Sequence, residues 1–195
     1  DDFMGLIDPV ITGNAPAKQT IVEQPWWPTA KGFTSEEAEL HSWGDISRYT
    51  DRALPSTAID ELVDLVADCP QRSESTHGEL WMLGWVGGAV LDRFARTETA
   101  YVHRGMKSMV RPSPLWSDRA TDDQVRDLED WTDAVLEVLE PHTPRESYQN
   151  FPNRRIVDWQ EQYYAENLER LLDVKTQWDP DNLFTSAQTI APRSA

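Results

Sequence analysis

Cysteine occurs once in the 195 residues, at Cys69. A single thiol forms no internal disulfide and no thiolate metal cluster. No basic cluster adjoins it in sequence, so it reads as a packing residue rather than a nucleophile. Histidine is also scarce. His41, His77, His103 and His142 are scattered, with no second ligand at metal-binding spacing, and no metal site is expected. Basic residues are outnumbered, 18 against 34 acidic ones, giving a formal net charge of −16. Contact with nucleic-acid phosphates needs clustered Lys and Arg, and an anionic membrane surface needs the same, so neither partner is expected. No apolar run approaches the ~20 residues of a membrane-spanning helix. A glycine-rich phosphate loop is missing too; Gly87-Gly88 is the nearest approach.

What is present describes a folded chain. Nine tryptophans and 39% hydrophobic residues supply a core, and 27% charged residues supply a solvated surface. Pro9, Gly13, Pro16, Pro25, Pro28 and Gly32 punctuate the first part. Loops are expected there, with a short strand over Gln19–Glu23 and a short helix over Thr34–Leu40. Trp26-Trp27 reads either as rings covering exposed core or as a pocket rim. Ile59, Leu62, Val63 and Val66 recur at helical spacing and predict a helix over Thr57–Asp68, stopped by Pro70.

Glu79–Leu91 is apolar on both faces and predicts a central strand with a glycine break. Tyr101–Arg111 alternates, with Val102, Met106 and Val110 on one face and Tyr101, His103, Lys107 and Arg111 on the other, and predicts its antiparallel partner. Val125, Leu128, Trp131, Val135, Leu136 and Leu139 predict a helix over Asp122–Glu140, capped by Thr121. A last long helix is expected from Asn153, as N-cap, to a stop before Pro180, with Ile156, Trp159, Tyr163, Leu168, Leu171, Leu172 and Val174 inward. The fold class is therefore α+β, an antiparallel sheet flanked by helices, followed by a C-terminal helical segment.

The stretch Tyr148–Ile190 carries more than periodicity. It holds Tyr148, Asn150, Phe151, Trp159, Tyr163-Tyr164, Asn167, Arg170-Leu171, Val174-Lys175, Trp178-Asp179-Pro180, Asn182, Phe184, Gln188 and Ile190 in that order. This pattern resembles the C-terminal signature of the berberine-bridge-enzyme-like flavoproteins, a PCMH-type branch of the vanillyl-alcohol-oxidase superfamily of FAD-linked oxidases. So many positions in sequence are far more specific than a short motif. Ala165 stands where that family usually has Gly; in a helix Ala is the better former, and no harm is expected. Two further stretches are similar to the family's substrate domain. Ser47-Arg48-Tyr49 leads into a helix, with Asp51-Arg52 in place of Lys-Ser. A Gly-Gly strand is followed by Tyr101-Val102-His103-Arg104, with Val102 in place of Pro.

The resemblance implies a division into a substrate-binding portion, residues 1–145, and a segment, residues 146–195, that returns to an FAD domain. Asp1 is not an initiator Met, so the expectation is the C-terminal part of a longer enzyme whose N-terminal FAD-binding portion is its partner. The implied activity moves hydride from an alcohol- or amine-type carbon of a small molecule to flavin N5, with oxygen as acceptor. Tyr148 is the implied base, or the residue that packs on FAD, and Asn150 the implied hydrogen-bonding partner of flavin or substrate. A free tyrosine titrates near 10, so as a base it needs a donor or cation beside it. Trp81, Leu83, Trp85, His103 and Arg111 are the expected substrate pocket, with His103 and Arg104 bracing the sheet beneath the flavin. The family's berberine-type members place a carboxylate near the position of Arg111, and its sugar oxidases an Asp on the Gly-Gly strand. Neither acid is present, which favours an aromatic, secondary-metabolite type of substrate. The reading from another class is a non-catalytic acidic binding module, or an orphaned fragment.

Overall fold

The computed structural model describes residues 5, 8, 12–13, 23–31, 42–70, 75–84, 86 and 88–193. The chain divides into two compact units, Asp1–Glu39 and Leu40–Ala195. In the first, a short helix α1 (Trp26–Lys31) occupies part of the expected loop, and both Trp26 and Trp27 are exposed. Its start is tied by Thr29, whose amide and hydroxyl both donate to Pro25 O. The helix expected over Thr34–Leu40 falls outside the described residues, and so does the strand over Gln19–Glu23 except Glu23, which is irregular.

The second unit runs β1 (Ser42–Trp43), β2 (Arg48–Thr50), α2 (Ser56–Ala67), β3 (Thr76–Leu83), β4 (Ser108–Trp116), α3 (Asp122–Leu139), a 3-10 turn (Glu140–His142), α4 (Trp159–Tyr164), a second 3-10 turn (Ala165–Asn167) and α5 (Leu168–Trp178). It is an antiparallel sheet with flanking helices, as the sequence predicts. β4 is its centre. β3 pairs along one edge of β4, Thr76 opposite Trp116 through Leu83 opposite Met109. β1 and β2 lie end to end along the other edge. The strand predicted as central, Glu79–Leu91, is thus corrected in both bounds and place. It begins at Thr76, ends at Leu83 and pairs only with β4 among the described residues.

The predicted strand over Tyr101–Arg111 is corrected likewise. Residues 101–107 are loop, and the strand is Ser108–Trp116, running through Pro112 and Pro114. Proline lacks the N–H that a central strand needs. Here backbone groups of alternate residues face opposite edges, and both prolines face the break between β1 and β2. Their carbonyls still accept there, from Ile46 N at 3.4 Å and Gly44 N at 3.1 Å. The chain interrupts its second neighbouring strand where two donors are missing.

Side-chain alternation gives the sheet two faces. One carries Leu80 and Val110 against α2 and α3, with Leu54, Leu62, Trp131, Val135 and Leu139 completing the core. Full burial of Val135 or Leu139 contributes about 1.5–3 kcal/mol each. Trp131 Nε1 donates to Leu65 O at 2.8 Å and locks the two helices together. α3 starts in a capping box: Gln124 N donates to Thr121 Oγ1, and Thr121 N donates to Gln124 Oε1 at 2.9 Å. Asp122 and Asp123 complement its positive end. In α2 the inward residues are Ala58 and Leu62, while Ile59 and Val63 are 42% and 60% exposed. The predicted stripe there is rotated by about one position, because Trp131 and Val138 of α3 meet α2 on the Leu62–Leu65 side.

The expected single C-terminal helix is two helices with a corner. Ala165 takes φ 39° and ψ −121° between them. The expectation that Ala is harmless at 165 assumed a helical backbone and is overturned: this is a conformation glycine adopts freely and a Cβ opposes. Asn153 is not an N-cap of α4; that position is Asp158. Asn153 is a buried staple instead, donating from Nδ2 to Gly44 O at 3.0 Å and accepting at Oδ1 from Arg155 N at 2.9 Å. Ile156 and Tyr163 are buried with Ile46 in a separate cluster. α5 buries no residue fully, and Val174 is exposed. It stops at Asp179, whose carboxylate accepts from Leu183 N and Phe184 N and pairs with Lys175. Asn182, at φ 52°, makes the turn.

Candidate functional site

The second face of the sheet is a cavity wall. Tyr49 of β2, Trp81 and Leu83 of β3, and Met109 and Arg111 of β4 share it, each one residue out of phase with the helix-facing set. The loop before β4 adds Tyr101 and Arg104, and the segment after α3 adds Tyr148 and Phe151. They enclose about 590 Å³, a volume that suits a small organic molecule.

Tyr148 is held by its backbone. Its N–H donates to Ser47 Oγ at 2.8 Å, and its carbonyl accepts from Phe151 N at 2.9 Å, closing a turn over residues 148–151. The residues just before it are fixed by a buried network. Arg48 Nη1 donates to Ser147 Oγ at 2.7 Å and to Gln162 Oε1 at 2.5 Å, and Tyr49 N donates to Glu146 O at 3.0 Å. Burial lowers the Arg48 guanidinium from its ordinary value, and Glu140, 3.8 Å away, opposes that. The ring of Tyr148 meets Tyr49, Tyr101 and Phe151 edge-on. Its phenol oxygen accepts from Asn150 Nδ2 at 2.8 Å, and Asn150 itself is exposed beside it.

The cavity's floor is rigid. Tyr49 stacks on His103 with centroids 4.3 Å apart, and the Tyr49 and Tyr101 hydroxyls lie 3.1 Å apart. Burial pushes both phenols up; the bond to Tyr101 and the neighbouring phenols add to the rise at Tyr49. His103 is fully buried, with Nδ1 2.7 Å from Glu146 Oε2. A carboxylate can only accept, so Nδ1 carries the hydrogen. Nε2 is buried without a partner among the described residues. Burial raises Glu146, but hydrogen bonds from His103 and Arg96 outweigh it and hold the carboxyl below the ordinary range. Arg96 also clasps Glu166, with Nε and Nη2 each 2.8 Å from a carboxylate oxygen. Asn167 Nδ2 donates to the carbonyls of Arg96 and Thr99. The corner at Ala165 thus delivers Glu166 and Asn167 to the loop that carries Tyr101 and Arg104.

Of the residues singled out from sequence, Tyr148, Trp81, Leu83 and Arg111 meet at this cavity. Asn150 joins them through the Tyr148 phenol. His103 lies behind the wall, covered by Tyr49, rather than on it. Trp85 falls outside the described residues. Sequence reasoning missed Tyr49, Val86, Leu91, Tyr101, Arg104, Met109 and Phe151 as lining residues. Tyr49 could have been found: period two in a strand sends it to the face opposite its neighbour Arg48. Tyr101 and Arg104 could not, since they sit on loop rather than strand. No group of three or more metal-ligating side chains occurs among the described residues, and no described helix is long and apolar enough to cross a membrane.

Residues 147–191 match the family described as berberine and berberine like. The chain is 36% identical over 123 residues to berberine bridge enzyme-like 6 of Arabidopsis thaliana, covering 54% of this chain and 22% of that protein. It is 23% identical over 193 residues to the FAD-linked oxidoreductase YvdP of Bacillus subtilis (strain 168), covering 98% of this chain and 41% of that one. The chain therefore spans less than half the length of either relative. Among solved structures, berberine bridge enzyme from Eschscholzia californica superimposes with a TM-score of 0.69 at 23% identity, over 82% of this chain and 34% of that chain. At that identity the likeness is one of fold.

Proposed function

We propose, for a chain whose residues 147–191 are a berberine-like domain, that it forms the C-terminal part of an FAD-dependent oxidoreductase acting on a small organic substrate in the cavity beside Tyr148. The observation that carries this reading is the junction of that domain with the cavity: the Tyr148–Phe151 turn opens the matched segment and walls the pocket. In this reading residues 1–145 are the later part of a substrate domain and residues 146–195 return to an N-terminal FAD-binding portion. Exposed Val174, Trp178, Leu183 and Phe184 provide an apolar surface for that return.

The residues fit a flavin. An apolar aromatic cleft suits a flat ring system, and the exposed Asn150 amide can both donate and accept beside it. Bound FAD would supply the hydride acceptor, N5, and pass the electrons to oxygen. The substrate carbon gives up hydride while its attached O–H or N–H gives up a proton, leaving C=O or C=N. Tyr148, in its phenolate form, takes that proton at its phenol oxygen and becomes the phenol, with Asn150 Nδ2 donating to the same oxygen and orienting it. Tyr49, Trp81, Tyr101 and Phe151 supply ring faces and edges that favour an aromatic substrate of secondary-metabolite type.

The test is spectroscopic and kinetic. The full-length polypeptide containing this chain should show flavin absorption. Tyr148→Phe should lower kcat by about 10²–10⁴-fold with flavin content unchanged. A colourless protein sinks the FAD reading; an unchanged kcat removes Tyr148 as the base; preference for free sugars over aromatic alcohols or amines removes the substrate class.

A further inference from the structure

The charges that line the cavity are of one sign. Arg104 and Arg111 face it, and no Asp or Glu does among the described residues. This is unusual placement in a chain of net charge −16. The two arginines differ in what they already hold. Arg111 lies 3.4 Å from Asp45 and sits over the Trp81 and Phe151 rings, so its charge is compensated and its position fixed. Arg104 is half-buried and has no carboxylate within ion-pair distance among the described residues. Its Nη2 donates to Thr99 Oγ1 at 2.7 Å, and its guanidinium packs on Phe94 and Tyr101, 5.2 and 4.8 Å from the ring centroids. Arg104 Nε, like Arg111 Nε, is buried with no hydrogen-bond partner among the described residues, so what separates the two is the carboxylate that Arg111 has and Arg104 lacks. Among the described residues, the other arginines without a carboxylate partner, Arg93, Arg119, Arg154 and Arg170, are exposed to water.

A half-buried cation gains from an anion or hydrogen-bond acceptors that offset its partial desolvation. A planar guanidinium clamped between rings is pre-organised to bind one in a forked, two-point manner. We propose that the molecule this cavity takes carries an anionic group, a carboxylate or its equivalent, and that Arg104 binds it while the aromatic wall holds the apolar body. The proposal rests on the oxidoreductase reading only in calling that molecule a substrate.

Calorimetric binding to the flavin-loaded full-length protein tests it, with naphthoate and the neutral, isosteric naphthamide as probes. The wild type should bind naphthoate more tightly than naphthamide. Arg104→Gln should weaken naphthoate by about tenfold to a hundredfold, the range of a hydrogen bond to a charged group. It should leave naphthamide unchanged, which also shows the variant to be folded. Arg104→Lys should restore part of the gap. The flavin midpoint potential should not move. Equal wild-type affinity for acid and amide overturns the proposal, as does an equal loss of both in Arg104→Gln. A lowered flavin potential with the acid–amide gap intact assigns Arg104 to the cofactor and also overturns it. A colourless protein that still prefers the acid would sink the oxidoreductase reading and leave this one standing.

Discussion

Ala165 adopts a backbone conformation, φ 39° with ψ −121°, in which its Cβ is sterically opposed. The strain persists because the residues on either side are held elsewhere: Glu166 by Arg96, Asn167 by two carbonyls of the loop, and Gln162 by Arg48. Removing the Cβ removes the opposition and leaves those bonds intact. Ala165→Gly should therefore raise stability by about 1 kcal/mol, the steric penalty exceeding the extra entropy of glycine in the unfolded chain. A shift of the urea midpoint to higher concentration checks this, and a shift to lower concentration refutes the strained geometry. Position 165 also shows where reading a sequence stops. Helical propensity applied to Ala165 gives the wrong sign, because the corner is imposed by contacts with residues 96–99.

The helix layer meets the sheet at Gly78. A Cβ there would overlap Cys69 Sγ and touch Trp131 at 3.4 Å and Leu128 at 3.6 Å. Gly78→Ala should cost about 1–3 kcal/mol as an overpacked core substitution. Cys69→Ala in the same chain should recover much of that loss, a coupling that a double-mutant cycle of urea midpoints measures. Additive losses would mean that Trp131, not Cys69, sets the limit. Cys69 thus packs against a strand, in keeping with the lack of a basic cluster beside it in sequence. Elements with strong helical periodicity, α2 and α3, were legible within a residue or two. β4 was not, because Pro112 and Pro114 read as a strand end when only one chain segment is in view. Their tolerance depends on the gap between β1 and β2, which no local pattern reveals. The cavity was half legible: the family resemblance points to Trp81, Leu83 and Arg111, whereas Tyr101 and Arg104 reach it through a loop held by Glu146, Glu166 and Asn167.

Across the whole molecule, pH acts through two opposed effects. Protonating surface carboxylates relieves the repulsion of a chain at −16. Protonating Glu146 removes the acceptor that binds His103 and Arg96. Its folded value lies below the ordinary 4.5, so its stabilisation is fully present above that pH and is lost as pH falls through the lower, folded value. Glu146→Gln should therefore be less stable than the wild type near neutrality. The two urea midpoints should converge as pH falls below about 4.5. Parallel profiles would mean that Glu146 is not the linked group. Net charge alone, read from composition, predicts only the first of these effects.

The two prolines of β4 also act as a lock on alignment. A slip of β4 by a single residue would turn Pro112 and Pro114 toward β3, where the ladder would lose two donors at once. The same slip would invert every side chain of the strand. Arg111 would be driven among Leu54, Leu62 and Trp131, and Val110 would be left facing the cavity. The mispaired sheet would thus carry an uncompensated guanidinium in its apolar layer. Two residues that weaken a strand in isolation thus exclude the one-residue slip of this one.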